Sequence, residues 1–160
     1  MARPPALPHG SASRTGRIVV LLAALAALTA AAPTERDADL EAALQVIETA
    51  FRAGDADALR PVLPEGSKIL LDLESHSRPS AYYSPEQIVL IFGKLFHQMH
   101  VLRFHLHREH GGASGARLHY VPAEWSGRDD RGGVHETRLQ FMLAREDDDT
   151  YRIREIKEVR

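Results

Sequence analysis

SPEQIVLIFGKLFHQMHVLRFHLH, residues 84–107, changes its apolar period part-way along, and that change decides the fold. Ser84 offers a capping hydroxyl, Pro85 fits a first helical position that needs no N–H, and Gln87 stands three residues on to complete a capping box. At about 100° per residue, Ile88, Phe92, Leu95 and Met99 fall within roughly 60° of one another, flanked by Ile91 and Phe96. The spacing predicts an amphipathic helix whose apolar face is buried, with Gly93 allowing it to approach a sheet closely. After Met99 the period drops from 3.6 to 2. Leu102, Phe104 and Leu106 alternate with Arg103, His105 and His107, the pattern of a strand with one apolar and one polar face.

The flanking segments supply partners for both faces. Thr34 to Ala53 reads as a helix opened by Thr34 and Asp37, with Leu40, Leu44, Ile47 and Phe51 on one side and Gly54 after its end. Asp55 caps a second, short helix carrying Leu59, Val62 and Leu63. Residues 67–75 read as a strand with Ile69, Leu71 and Leu73 on one face. A loop from His76 to Ser80 then leads to a short extended piece, Ala81–Tyr83. Downstream, turn chemistry at Gly111–Gly115, Gly127–Gly133 and Glu146–Asp149 separates three more strands. Their expected inward residues are Leu118 and Tyr120, then Leu139, Phe141 and Leu143, then Tyr151 and Ile153, after which Ile156 and Val159 break phase as a bulge would. Helices that precede and interrupt one antiparallel run predict an α+β domain, a curved, mixed, mainly antiparallel sheet wrapped around its helices.

Composition limits what the domain does. The chain has 160 residues, 44% hydrophobic and 26% charged, and no cysteine, so neither a disulfide nor a lipid on Cys contributes. Arg3, Arg14 and Arg17 precede an apolar run that ends in Thr29-Ala30-Ala31-Ala32, and no acidic residue occurs before Glu35. Residues 1–32 therefore read as a signal peptide; an N-terminal inner-membrane anchor is the weaker alternative, because the 15 residues from Ile18 to Ala32 fall short of the roughly 17–25 needed to span. The expected location is exported, periplasmic or secreted. Residues 33–160 keep 17 basic against 22 acidic residues, a formal charge of −5 without a basic stripe, which argues against nucleic acid as a partner. Membrane contact is expected only through the N-terminal segment.

The order of elements resembles the nuclear transport factor 2-like superfamily, the cone-shaped fold of ketosteroid isomerase, scytalone dehydratase and polyketide cyclases. AFRAGDADALRPVL, SKILLDL, AYYSPEQIVLIFGKLF, RFHLHREHGGASGARLHY and the terminal YRIREIKEV are similar to small exported bacterial domains of unknown function, and the resemblance covers about residues 36–160. It implies a domain that often dimerises through its sheet. The isomerase branch uses a carboxylate base deep in the cone with a tyrosine and a protonated acid, and no such set matches positions here, so the resemblance implies no activity.

Three chemistries compete for the polar residues. Five histidines, His97, His100, His105, His107 and His110, fall within fourteen residues. His105 and His107 share a strand face, and with His119 across the hairpin they could meet around a metal, whereas His97 points to water. An acid/base pair in the cone would draw on Asp72 or Glu124 with His105, His119 or His135, and on Tyr82, Tyr83 or Tyr120 as donor, for proton abstraction beside a carbonyl. Against this, the alternation around Asp72 places it on the solvent side, while that around Glu124, with Tyr120 and Pro122 at two-residue spacing, leaves its face open. The third chemistry is binding without catalysis, with no cofactor: a small apolar ligand in the cone against Tyr82, Tyr83, Tyr120 and Trp125, or a homodimer through an outer face bearing Arg103, His105, Arg117, His119, Arg138 and Gln140. Trp125, the only tryptophan, could serve as lid, interface anchor or core. A non-catalytic binding or interaction module is the reading the sequence favours.

Overall fold

The computed structural model describes residues 35–76, 78–108 and 116–160. The expected signal peptide, the Thr34 cap, the turn at 111–115 and His110 lie outside the described residues. Helix α1 (Glu35–Ala53) buries Leu40, Leu44, Ile47 and Phe51 and ends at Gly54, whose φ of +64° suits a residue without Cβ. A 3-10 turn, Asp57–Val62, follows, with Asp55 Oδ1 accepting from the Asp57 and Ala58 N–H groups. Strand β1 (Ile69–Leu73) buries Ile69, Leu71 and Leu73. The next segment departs from the expected loop: Glu74–His76 form a 3-10 turn, and β2 spans Arg78–Tyr83. That strand, which contains Pro79, is the edge of the sheet, and its pairing with β1 slips between Leu71 and Leu73.

Helix α2 (Pro85–Gln98) opens with the capping box, Ser84 Oγ accepting from Gln87 N and Gln87 Oε1 accepting from Ser84 N. It runs directly into β3 (Met99–Leu106), and β4 (Leu118–Asp129), β5 (Val134–Arg145) and β6 (Tyr151–Glu158) complete an α+β fold. The sheet is open, in the order β2-β1-β6-β5-β4-β3, and antiparallel except where β1 lies parallel to β6. The expected phase break in β6 is real: Leu143 pairs with Ile153 and Met142 with Glu155, so Arg154 is the extra residue and Ile153 and Ile156 both face inward.

Two expectations of facing fail for the same reason, register. In β3 the pairing jumps from Val101–Gly127 to Arg103–Ser126, leaving Leu102 as a bulge residue and exposed, while Met99, Phe104 and Leu106 are buried. In β4 the pairs His119–Leu143, Val121–Phe141 and Ala123–Leu139 set the odd-numbered residues beside the inward residues of β5. Leu118 and Tyr120 therefore point outward and His119 inward, the reverse of the expectation.

The core lies between the inner sheet face and the two helices. Phe51 is its centre, stacked on Phe104 at 4.3 Å and edge-on to Phe92, Phe96, Trp125 and Phe141 at 5.2–5.8 Å.

Candidate functional site

Polar groups reach this apolar interior at its two ends. Among the described residues His119 and Thr137 are the buried polar side chains, and no Asp or Glu is buried. At one end His119 Nε2 lies 3.0 Å from the Ala116 carbonyl, to which Tyr151 Oη donates at 3.1 Å, and the two rings meet edge to face at 5.3 Å. That arrangement ties the start of β4 to β6.

The other end is open. Where β1, β4 and β5 run out beside the α2–β3 junction, a pocket of about 460 Å³ is lined by His76, Gln98, Met99, Asp129, His135 and Thr137, among others. The 3-10 turn after β1 swings His76 over Trp125, ring centroids 5.4 Å apart. Trp125 is 1% exposed, and neither its Nε1 nor His76 Nε2 has a hydrogen-bond partner among the described residues, though both atoms are buried. Burial holds the His76 pKa below its ordinary value, Glu158 opposing and His135 adding to the shift. Gly127 lets Met99 close in from β3, since a Cβ there would stand 3.3 Å from that of Met99.

Asp129 organises the rim. His135 Nε2 donates to Asp129 Oδ2 at 2.8 Å, while Asp129 Oδ1 accepts from the Arg131 and Gly133 N–H groups across the β4–β5 turn. These bonds, that from His135 first, hold the Asp129 carboxyl below its ordinary range. Both carboxylate oxygens are engaged, Oδ2 with His135 and Oδ1 with the turn, so Asp129 fixes the orientation of the His135 ring.

No known protein family matches the sequence, and neither does any curated protein. Solved structures do match in shape. A ketosteroid isomerase-like protein from Erwinia carotovora atroseptica aligns over 79% of this chain and 98% of its own, at 17% identity and TM-score 0.58. An NTF-2 like protein of unknown function from Shewanella oneidensis aligns over 76% and 96%, at 14% identity and TM-score 0.55. A DUF4783 family protein from Bacteroides ovatus aligns over 70% and 89%, at 18% identity and TM-score 0.55. The fold is that of the nuclear transport factor 2-like superfamily.

Within this nuclear transport factor 2-like fold the sequence candidates scatter. Of the four aromatic ligand contacts expected, Trp125 alone is in the core; Tyr83 packs partly against it, Tyr82 is exposed on the edge strand, and Tyr120 is exposed on the outer face beside Leu118. The acid/base candidates do not converge. Asp72 faces outward on β1 opposite Lys157, while Tyr83 pairs with inward-facing Ile69, and His135 sits on the rim with Asp129. His105 and Glu124 are directly opposite each other, on the outer face. The expected trio of His105, His107 and His119 is split by the sheet, since the first two are exposed outside and His119 is buried inside. His97 is exposed, as its helix position predicts.

His76 and Thr137 went unmarked by sequence pattern. His76 fell in a stretch read as loop, where no periodicity could flag it. Thr137 did carry a signal, two residues ahead of Leu139 and Phe141 in the inward phase of β5.

Proposed function

We propose that this protein is a non-catalytic binding module that holds a small neutral ligand with one hydroxyl or carbonyl group at the open end of its core. The observation that carries the reading is a pair of buried ring nitrogens without partners among the described residues, His76 Nε2 in the pocket wall and Trp125 Nε1 on the ring that His76 covers, at the polar edge of an otherwise apolar interior. A buried donor left unpaired costs about 1–3 kcal/mol, which an acceptor on a ligand recovers. Trp125 Nε1–H is a donor only, and His76, kept uncharged by burial, offers a donor or an acceptor by tautomer, so the pair suits a neutral oxygen group better than an anion. The pocket volume falls in the range of small-molecule sites. A proton-abstracting enzyme would instead want a carboxylate buried beside its donor, and no described Asp or Glu occupies such a place. The basic, apolar N-terminal segment favours an exported domain, so the ligand would be met in the bacterial envelope.

Trp125, the only tryptophan, does not line the pocket but its ring contacts that of His76 in the pocket wall, so intrinsic fluorescence reports on the core directly beside the site. The test titrates the full chain with cyclic ketones of increasing size and with their hydrocarbon counterparts. The ketones are expected to shift Trp125 emission and raise the melting midpoint more than the hydrocarbons. Trp125→Phe and His76→Phe, the first read by melting alone, should each reduce that discrimination about tenfold, the worth of roughly one hydrogen bond. Equal responses to ketone and hydrocarbon, or none to either, would overturn the proposal.

A further inference from the structure

We infer that His105, His107 and Glu124 form a binding site for a divalent transition metal of the zinc, nickel or copper type on the outer face of the β3–β4 pair, independent of the ligand pocket. The register places His105 directly opposite Glu124, and His107 follows two residues on, on the same face. His107 Nε2 stands 3.6 Å from Glu124 Oε1. Two donors bound to one tetrahedral ion at about 2.0–2.1 Å stand roughly 3.3–3.4 Å apart, so this pair is within a few tenths of an ångström of ligating separation. The His105 ring lies 4.9 Å from the His107 ring, edge to face.

Among the described residues no three such groups already converge on one point, so the third donor has to turn in. His105 is exposed, and rotation of its side chain meets no packed neighbour in the core. Arg103 supplies the outer support: its Nη2 donates to Glu124 Oε2 at 3.0 Å, fixing the carboxylate while Oε1 stays towards His107. The guanidinium charge beside the site is itself exposed and screened by salt. Two imidazoles with one carboxylate favour zinc, nickel and copper over calcium or magnesium, which take oxygen sets.

The test is isothermal titration of the tag-free full chain with zinc and with nickel at pH 7.5. One ion per chain is expected to bind, and His105→Ala, His107→Ala and Glu124→Gln should each weaken it about 10- to 100-fold or more. His100→Ala, on the same strand but outside the cluster, should leave it unchanged, and lowering the pH to 5.5 should weaken it because the imidazoles must be uncharged to ligate. All three cluster side chains lie on the exposed face, so circular dichroism should show the variants folded. Absence of binding at pH 7.5, or binding that survives the His105→Ala/His107→Ala double substitution, would overturn the assignment.

Discussion

His76 is where a single residue couples the fold to pH. Burial disfavours its charged form, so its folded pKa lies below the ordinary 6.5 of the unfolded chain. The folded protein therefore resists a proton that the unfolded chain accepts. The contribution of neutral His76 to stability is complete above 6.5 and is lost as pH falls from there through the lowered folded value. Urea midpoints measured at pH 7.5 and 5.5 should fall further for the wild-type chain than for His76→Phe. Equal falls would show that the ring is free to charge in place, as a solvated rim histidine would be. Single residues were also where the sequence misled most. Strand β4 offers two apolar phases, Leu118 and Tyr120 against Val121, Ala123 and Trp125, and the choice of the first put His119 on the wrong face. The second phase is the longer, and only the pairing with Leu139, Phe141 and Leu143 of β5 decides between them.

At the scale of elements, α2 was the most legible because its start is chemical and its face periodic. The capping box read from Ser84 and Gln87 forms as expected, and Ser84→Ala should cost about 1 kcal/mol in chemical denaturation. Gly93 tells a different story. It was expected to let the helix close on a sheet, but a Cβ there meets only the Cβ of Ala56 in the neighbouring 3-10 turn, at an ordinary 3.9 Å. Nothing in the packing then offsets the helix propensity that glycine lacks, so Gly93→Ala should stabilise the protein by roughly 0.5–1 kcal/mol. A loss of stability from that substitution would mean the helix and turn pack more closely than this contact implies. The bulges were only half legible. That in β6 broke the apolar phase visibly at Ile153 and Ile156, whereas the one in β3 was hidden because its extra residue, Leu102, continued an apolar alternation while lying exposed.

For the whole molecule, the element order and the α+β class could be read because each segment carries its own period, but the sheet order could not. Strand β6 slots between β1 and β5, parallel to the first and antiparallel to the second, and such pairing across the full length of the domain leaves no local mark. What unites the chain is a shared filling: Phe51 on α1 touches rings from α2, β3, β4 and β5. With no cysteine in the sequence, these contacts carry the stability without help from any disulfide. Phe51 is fully buried, so Phe51→Ala removes a side chain at the point where five rings meet and should cost about 3–5 kcal/mol. Domains of this size have total stabilities of about 5–15 kcal/mol, so that loss alone can bring the protein to the edge of unfolding. Phe51→Leu, which keeps most of the volume but loses the ring contacts, should cost roughly 1–2 kcal/mol and still fold. Urea unfolding followed separately by Trp125 fluorescence and by backbone circular dichroism would check both. The two signals should move together in the Leu variant, because the ring cluster joins helices and sheet into one cooperative unit. Early loss of the fluorescence transition would instead mean that the aromatic centre and the sheet unfold as separate parts.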